Sequence, residues 1–211
     1  MKLTKFEHSC LIIEVSGSRL IIDPGVFTMP LGDIGDVVAV VITHEHGDHW
    51  TPDQLQRIIE RNPDATIYGP AGVVAAAKDF TVVQVADGDV IEIEPFNLKF
   101  FGEKHAVIHE SVPVIDNVGV LVNDELYYPG DSLTVPGVTV GTLAAPAGAP
   151  WLKVGEAMDF VLAVKPRRAL PVHEMVLSVA GKGMTNDRLS WATTQGGGEF
   201  FVLEPGEELD L

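Results

Sequence analysis

The chain has 211 residues, enough for one hydrophobic core, and its 46% hydrophobic and 21% charged content excludes a disordered chain. Fourteen Lys and Arg against thirty Asp and Glu leave a formal net charge of -16, which argues against nucleic-acid partners because phosphate binding needs clustered basic residues. The single cysteine, Cys10, excludes an internal disulfide framework and reads as a core thiol in the apolar run 10–13.

The first predicted elements are strands at 3–7, 10–15 and 19–23, the last two joined as a hairpin through Ser16-Gly17-Ser18. The apolar run 37–42, rich in β-branched residues, reads as a buried strand. It opens into Thr43-His44-Glu45-His46-Gly47-Asp48-His49. Thr51-Pro52-Asp53-Gln54 then supplies an N-cap, a proline at the first helical position and a capping-box glutamine. Leu55, Ile58 and Ile59 recur at helical spacing until Asn62-Pro63 stops the helix. A strand at 66–68 and a short helix at 71–78 follow. Strands resume at 81–85, 90–94, 97–102, 111–115, 118–122 and 125–128, with Asp87-Gly88 and Asn123-Asp124 as turns. A strand near 139–144 leads to a loop rich in Pro, Ala and Gly, a helix at 153–164 and a strand at 168–172. Thr185 is expected to cap a last helix at 186–194, and 200–203 closes the sheet work. The acidic tail 204–211 reads as a short arm or a frayed end. No linker signal divides the chain, so residues 1–211 read as one domain. No apolar run reaches ~18 residues and the N terminus lacks a long apolar stretch, so the expectation is a cytoplasmic protein with no membrane partner.

Three of the seven histidines and an aspartate fall within six positions, 44–49, at the carboxyl end of a predicted strand. Neutral imidazole suits zinc and its neighbours, and an adjacent carboxylate adds charge for a second ion. On a helix His44 and His46 would point apart. The His-Glu-x-x-His zinc pattern is also absent, because Asp48 stands where its second histidine would be. A solvated histidine-rich tract lacks this strand-loop-helix setting. The segment reads as a metal site.

His44-x-His46-x-Asp48-His49 after a hydrophobic strand resembles the signature of the metallo-β-lactamase-fold superfamily of metal-dependent hydrolases. The likeness runs from residue 20 to 173. Asp23 closes an early strand before Pro24, His105 follows the strand ending in Phe100-Phe101-Gly102, Asp131 lies in a Gly-Asp pair and His173 ends a late strand. The opening Lys5-Phe6-Glu7-His8-Ser9-Cys10 is similar to the lactonase-like and uncharacterised hydrolase branch. The resemblance implies an α/β (α+β) fold, a four-layer αββα sandwich with two pseudo-equivalent halves.

It also implies a ligand set. His44, His46 and His105 would hold one divalent ion, Asp48, His49 and His173 a second, and Asp131 would bridge them. Such ions lie about 3.5–4 Å apart with a hydroxide between them. Zinc is the expected metal, with manganese or iron as alternatives because imidazole and carboxylate accept several ions. Metal binding lowers the pKa of water from 15.7 to about 7, which supplies a nucleophile at neutral pH. Asp48 would orient that nucleophile, and Asp23 would receive the free ring N–H of a ligand histidine. His109, four residues after His105, is a candidate substrate contact or a surface residue. His8 is a candidate substrate contact or a structural histidine bonded to backbone. Trp50, Phe27 and Trp151 read as packing residues before substrate contacts.

The implied activity is hydrolysis of an ester-type bond, lactone or phosphoester, in a small-molecule substrate. The Asp48-His49 pair fits the broad hydrolase pattern better than that of dedicated lactamases. A thioesterase of the glyoxalase II type and a non-hydrolytic iron-binding redox module are the alternatives. Oligomeric state is left open, a homo-oligomer included.

Overall fold

A computed structural model describes residues 1–31 and 33–211. Its elements in chain order are β1 (Lys2–Lys5), β2 (Leu11–Val15), β3 (Ser18–Ile22), β4 (Val37–Val41), α1 (Pro52–Arg61), β5 (Thr66–Gly69), α2 (Ala71–Ala76) and β6 (Val82–Gln84). The second half holds β7 (Val90–Ile93), β8 (Phe96–Phe101), β9 (Gly119–Val122), β10 (Leu126–Tyr128), β11 (Thr142–Pro146), α3 (Val154–Val164), β12 (Arg168–Val172), α4 (Val179–Gln195), β13 (Glu199–Phe200) and β14 (Glu208–Asp210).

The strands form two seven-stranded sheets, ordered β14-β1-β2-β3-β4-β5-β6 and β13-β12-β11-β10-β9-β8-β7. Each sheet begins as an antiparallel meander and continues with parallel strands, β3 to β6 in one and β10 to β13 in the other. Parallel neighbours need crossovers, and α1 and α2 serve the first sheet while α3 and α4 serve the second. The two halves that the resemblance implies are therefore visible in the topology.

Alternation along the strands sorts side chains into layers. Leu11, Ile13, Leu20 and Ile22 face Leu98, Phe100, Val120, Val122 and Tyr128 in the central core between the sheets. On the outer face of the first sheet Ile12, Ile21 and Val40 pack beneath Leu55 and Ile58 of α1 and Val73 of α2. Tyr127, Leu143 and Ala169 pack beneath Phe160 and Val161 of α3 and Leu189 and Ala192 of α4. The order is helix, sheet, sheet, helix: a mixed α/β, four-layer arrangement. Full burial of each such aliphatic side chain stabilises by about 1.5–3 kcal/mol.

Helix α1 has the expected cap and proline, the Thr51 side chain accepting from the Gln54 backbone N–H at 3.1 Å with Pro52 at the first position, but no capping box: the Gln54 side chain donates to Thr28 O and Met29 O and accepts from Leu31 N–H. Ser16 and Gly17, both at positive φ, make the tight turn between β2 and β3. The tail 208–210 is not frayed, since it pairs with β1 as an edge strand.

Two further expectations are corrected. The last helix begins at Ser178, whose hydroxyl accepts from Gly181 N–H at 3.1 Å, and not at Thr185, which is buried inside it. Gly181 and Gly183 lower helix propensity and hide these turns from a sequence reading. Residues 111–115 form no strand; Pro113 offers no N–H for a ladder, and the segment meets the neighbouring chain through a bond from His105 N–H to Ile115 O, beside the isolated Lys104–Asp116 bridge. No helix among the described residues is long and apolar enough to cross a membrane.

Candidate metal centre

The segments that carry the candidate residues all leave the carboxyl ends of strands: Asp23 after β3, 44–49 after β4, His105 after β8, Asp131 after β10 and His173 after β12. Unusual backbone makes them converge. His8, Asp23 and His173 have φ of 61°, 47° and 59°, left-handed conformations that ordinary residues avoid and that cluster at functional sites. Gly25 lies so close to the carbonyl of Asp48 that any β-carbon there would overlap it, and Val26 N–H bonds Gly47 O at 2.9 Å. Gly130, at φ 64°, is confined by Asn117 and Thr43. Asn117 then fixes the neighbouring aspartate, accepting from Asp131 N–H at 2.9 Å and donating to Pro129 O at 3.0 Å.

The side chains meet in two groups, His44, His46, His105 with Asp131, and His49, His173, Asp48 with His8. Asp131 joins them. Its Oδ1 lies 3.2 Å from His49 Nε2, and its Oδ2 lies 3.3 Å from His105 Nε2 and 3.2 Å from His173 Nε2. Trp151 Nε1–H donates to Oδ2 at 2.8 Å and holds the carboxylate in this orientation. Asp48 Oδ2 stands 3.5 Å from His173 Nε2 and 3.2 Å from His8 Nε2.

The Nδ1 atoms decide which ring nitrogen is free. His49 Nδ1–H donates to Asp23 Oδ2 at 2.6 Å, His105 Nδ1–H to Ala106 O at 2.5 Å and His173 Nδ1–H to Gly148 O at 2.7 Å. Thr43 spends its hydroxyl proton on Asp23 Oδ2 at 2.6 Å, so its oxygen accepts from His44 Nδ1–H at 3.1 Å. Asp23 thereby orients one histidine of each group, the first directly and the second through Thr43. Four Nε2 atoms are left facing inward. Those of His49, His105 and His173, with Asp131 Oδ1, are buried and make no aligned hydrogen bond, and His44 Nε2 lies 3.1 Å from His46 Nδ1. Converging imidazole lone pairs with outward-tethered Nδ1 atoms and a shared carboxylate are what a pair of borderline divalent cations requires. The residues fit the group that the resemblance implies.

Protons compete with metal for the same atoms. Burial opposes charge on His49, yet Asp131 and Asp23 outweigh it and lift the imidazole well above its usual range. Burial likewise opposes charge on His173, but its contacts with Asp131 and Asp48 raise it to about 9. His44 goes the other way, held well below 6.5 by burial and by the neighbouring charge of His49. Burial would raise Asp48, but His173 and His8 beside it keep it below the usual carboxylate range. A group whose folded pKa is raised stabilises the fold below its unfolded value and loses that contribution as pH climbs through the folded one. Chelated protein should therefore lose stability between pH 6.5 and 9 as His173 gives up its proton, and again in acid as Asp48 is protonated. Melting temperatures across that range check this; metal-loaded protein should not show the alkaline loss, because an ion replaces the proton.

Of the residues singled out in the sequence, the structure brings together His44, His46, Asp48, His49, His105, Asp131 and His173, with His8 at the edge and Asp23 behind. His109 stays outside: it is exposed, and its Nδ1 is taken up by Ser111. Sequence reasoning missed Trp151 as an Asp131 donor, Asn117 as the support of the Gly130–Asp131 turn, and the Thr43 relay. Only Thr43, adjacent to the motif, carried a local signal.

Two face-to-face sheets with outer helices, and a histidine-aspartate cluster at the strand ends, define a protein of the metallo-β-lactamase fold with a candidate metal centre. The family model described as "Beta-lactamase superfamily domain" matches residues 2–173, and the chain belongs to that family. It is 40% identical over 200 residues to Protein Rv0786c of Mycobacterium tuberculosis, covering 92% of this chain and 93% of that protein. It is 27% identical over 196 residues to the UPF0173 metal-dependent hydrolase MK1542 of Methanopyrus kandleri, covering 82% and 84%. Among solved structures, the metallo-beta-lactamase fold protein YhfI from Bacillus subtilis superposes with a TM-score of 0.71 at 17% identity, covering 99% of this chain and 98% of that one, which is a likeness of fold.

Proposed function

We propose that this metal-dependent hydrolase binds two divalent ions, zinc first, and cleaves an ester-type bond, a lactone or phosphoester, in a small apolar substrate. The observation that carries the reading is Asp131, a buried carboxylate whose two oxygens face histidines of both groups. His44, His46 and His105 would hold one ion, and Asp48, His49 and His173 the other, with Asp131 shared. Ions so held supply Lewis-acid polarisation of the scissile carbonyl or phosphoryl oxygen and an acidified water.

The protein's own part is positioning. Asp23, through His49 and Thr43, and the carbonyls of Ala106 and Gly148 hold the imidazoles in one tautomer. Asp48, 28% exposed at its side chain, is the carboxylate of the cluster that reaches the open face and can accept the proton of an attacking water. The surroundings select the substrate. Val26, Phe27 and Met29 after Asp23, and Met175 and Val176 after His173, are exposed apolar side chains beside the centre. A net charge of -16 opposes polyanions. Both features favour an ester with an apolar part and little charge.

The test is a hydrolysis screen of zinc-loaded protein over lactones, phosphodiesters, thioesters and β-lactams. Preferential turnover of lactones or phosphodiesters supports the reading. Preference for thioesters would move it to the glyoxalase II type, and loaded protein that hydrolyses none of them would contradict it.

A further inference from the structure

His8 belongs to the same cluster of potential ligands as His49 and His173, but its ring is wired the opposite way. His49 and His173 each donate from Nδ1 and leave Nε2 bare. At His8 the backbone N–H of Met175 points at Nδ1 from 3.3 Å, so Nδ1 is the acceptor. A ring nitrogen that accepts an N–H carries no proton, and a neutral imidazole must then carry its proton on Nε2. That Nε2 lies 3.2 Å from Asp48 Oδ2.

The ring has no freedom to turn. His8 is 1% exposed, its backbone sits at φ 61° in the turn between β1 and β2, and its carbonyl accepts from His173 N–H at 2.9 Å. The His173 ring lies 3.9 Å from it, and Phe27 closes the other side edge-on at 4.9 Å. A metal ion on Nε2 would require the imidazole to lose its only proton and become an anion, or the Met175 peptide to swing away.

We propose that His8 is a positioning residue and not a metal ligand: its Nε2–H donates to Asp48 Oδ2 and fixes the carboxylate that orients the attacking water. The inference rests on the functional reading of Asp48 given above, while the hydrogen bond itself does not depend on it. The Met175 N–H bond to Nδ1 ties the first sheet's opening turn to the loop after β12 in the second sheet, so that Met175, His8 and Asp48 form one line into the site.

Two measurements test it. In protein labelled with ¹⁵N at histidine, long-range proton–nitrogen correlation reads the tautomer of His8, its signals identified by their loss in His8→Gln. The expected pattern is a protonated Nε2 and an unprotonated Nδ1, in zinc-loaded and chelated protein alike; a protonated Nδ1 with a metal-shifted Nε2 overturns the proposal. The second measurement is zinc content and steady-state kinetics of variants. His8→Gln places an amide N–H where Nε2–H was and should keep both ions and most of the turnover. His8→Leu should keep both ions and lose kcat by a factor on the order of 10, with KM little changed. Loss of one ion per chain in His8→Gln, or wild-type kcat in His8→Leu, contradicts the assignment. The tautomer is read without turnover, so the failure of the hydrolase reading and the failure of the His8 assignment give different results.

Discussion

Asp131→Asn should strip metal from both groups of ligands and lower turnover by a factor on the order of 10² or more. The two oxygens of Asp131 are not equivalent in their duties. Oδ1 has no hydrogen-bond donor and faces His49, whereas Oδ2 accepts from Trp151 and faces His105 and His173. Asparagine keeps the volume but removes the charge. It also fixes the amide: its oxygen stays on the Trp151 N–H, so its nitrogen, which cannot hold a metal ion, takes the place of Oδ1 opposite His49. A buried group facing three imidazoles cannot be replaced from solvent, because Asp131 is only 3% exposed. Elemental analysis of the dialysed variant, with circular dichroism to show that the fold survives, measures the effect. A variant that keeps two ions per chain would show that the carboxylate is not shared.

Asp48→Asn should separate catalysis from assembly. Asp48 is the half-buried carboxylate of the cluster, in contact with His8 and His173, and its side chain is not part of the Asp23–Thr43 relay that shapes the loop. The amide retains size and one acceptor, so the loop between β4 and α1 has no reason to rearrange. The charge that the proposed role requires, to help hold an ion and to orient the attacking water, would be gone, and turnover is expected to fall by a factor on the order of 10² or more with the fold retained. The decisive comparison is kcat of the variant and of wild type on a substrate that wild type hydrolyses. Undiminished turnover would remove Asp48 from the mechanism.

Much of the centre was legible because its residues occupy short, punctuated segments. An apolar β-branched run ending in His44-x-His46-x-Asp48-His49 announces a strand end, and the Asp23-Pro24, Gly130-Asp131 and Pro171-Val172-His173 pieces each mark where a chain leaves a sheet. His105 could be separated from His109 for the same reason: the first leaves β8 at the strand end, the second sits beyond a turn and is held by Ser111. The supports of the centre were not legible. The Gly148 and Ala106 carbonyls have no side-chain identity, so no residue type reveals them as partners of His173 and His105. Trp151 reaches Asp131 across 20 positions, and Asn117 reaches it across 14, distances at which only the tertiary fold brings partners together. His8 illustrates a third kind of silence. Its residue type made it a candidate, but its role is set by one backbone N–H of Met175, 167 positions away.

The fold shows the same division. Hairpin turns at Ser16-Gly17 and Asn123-Asp124 and the Thr51 cap are local chemistry and were readable. The first turns of α4 contain Gly181 and Gly183 and are held by the Ser178 cap, while Leu189 and Ala192 in the later turns pack with α3, a tertiary contribution that outweighs propensity. The apolar alternation at 111–115 suggested a strand, and Pro113 prevented one.

The proposed centre is a pair of ions sharing Asp131, and the most direct test is to count and place them. Elemental analysis of zinc-saturated, dialysed protein, joined to anomalous diffraction from its crystals, should give two ions per chain, one against His44, His46 and His105, the other against Asp48, His49 and His173, and Asp131 in contact with both. A single ion after saturation, or a pair that leaves Asp131 untouched, would contradict it.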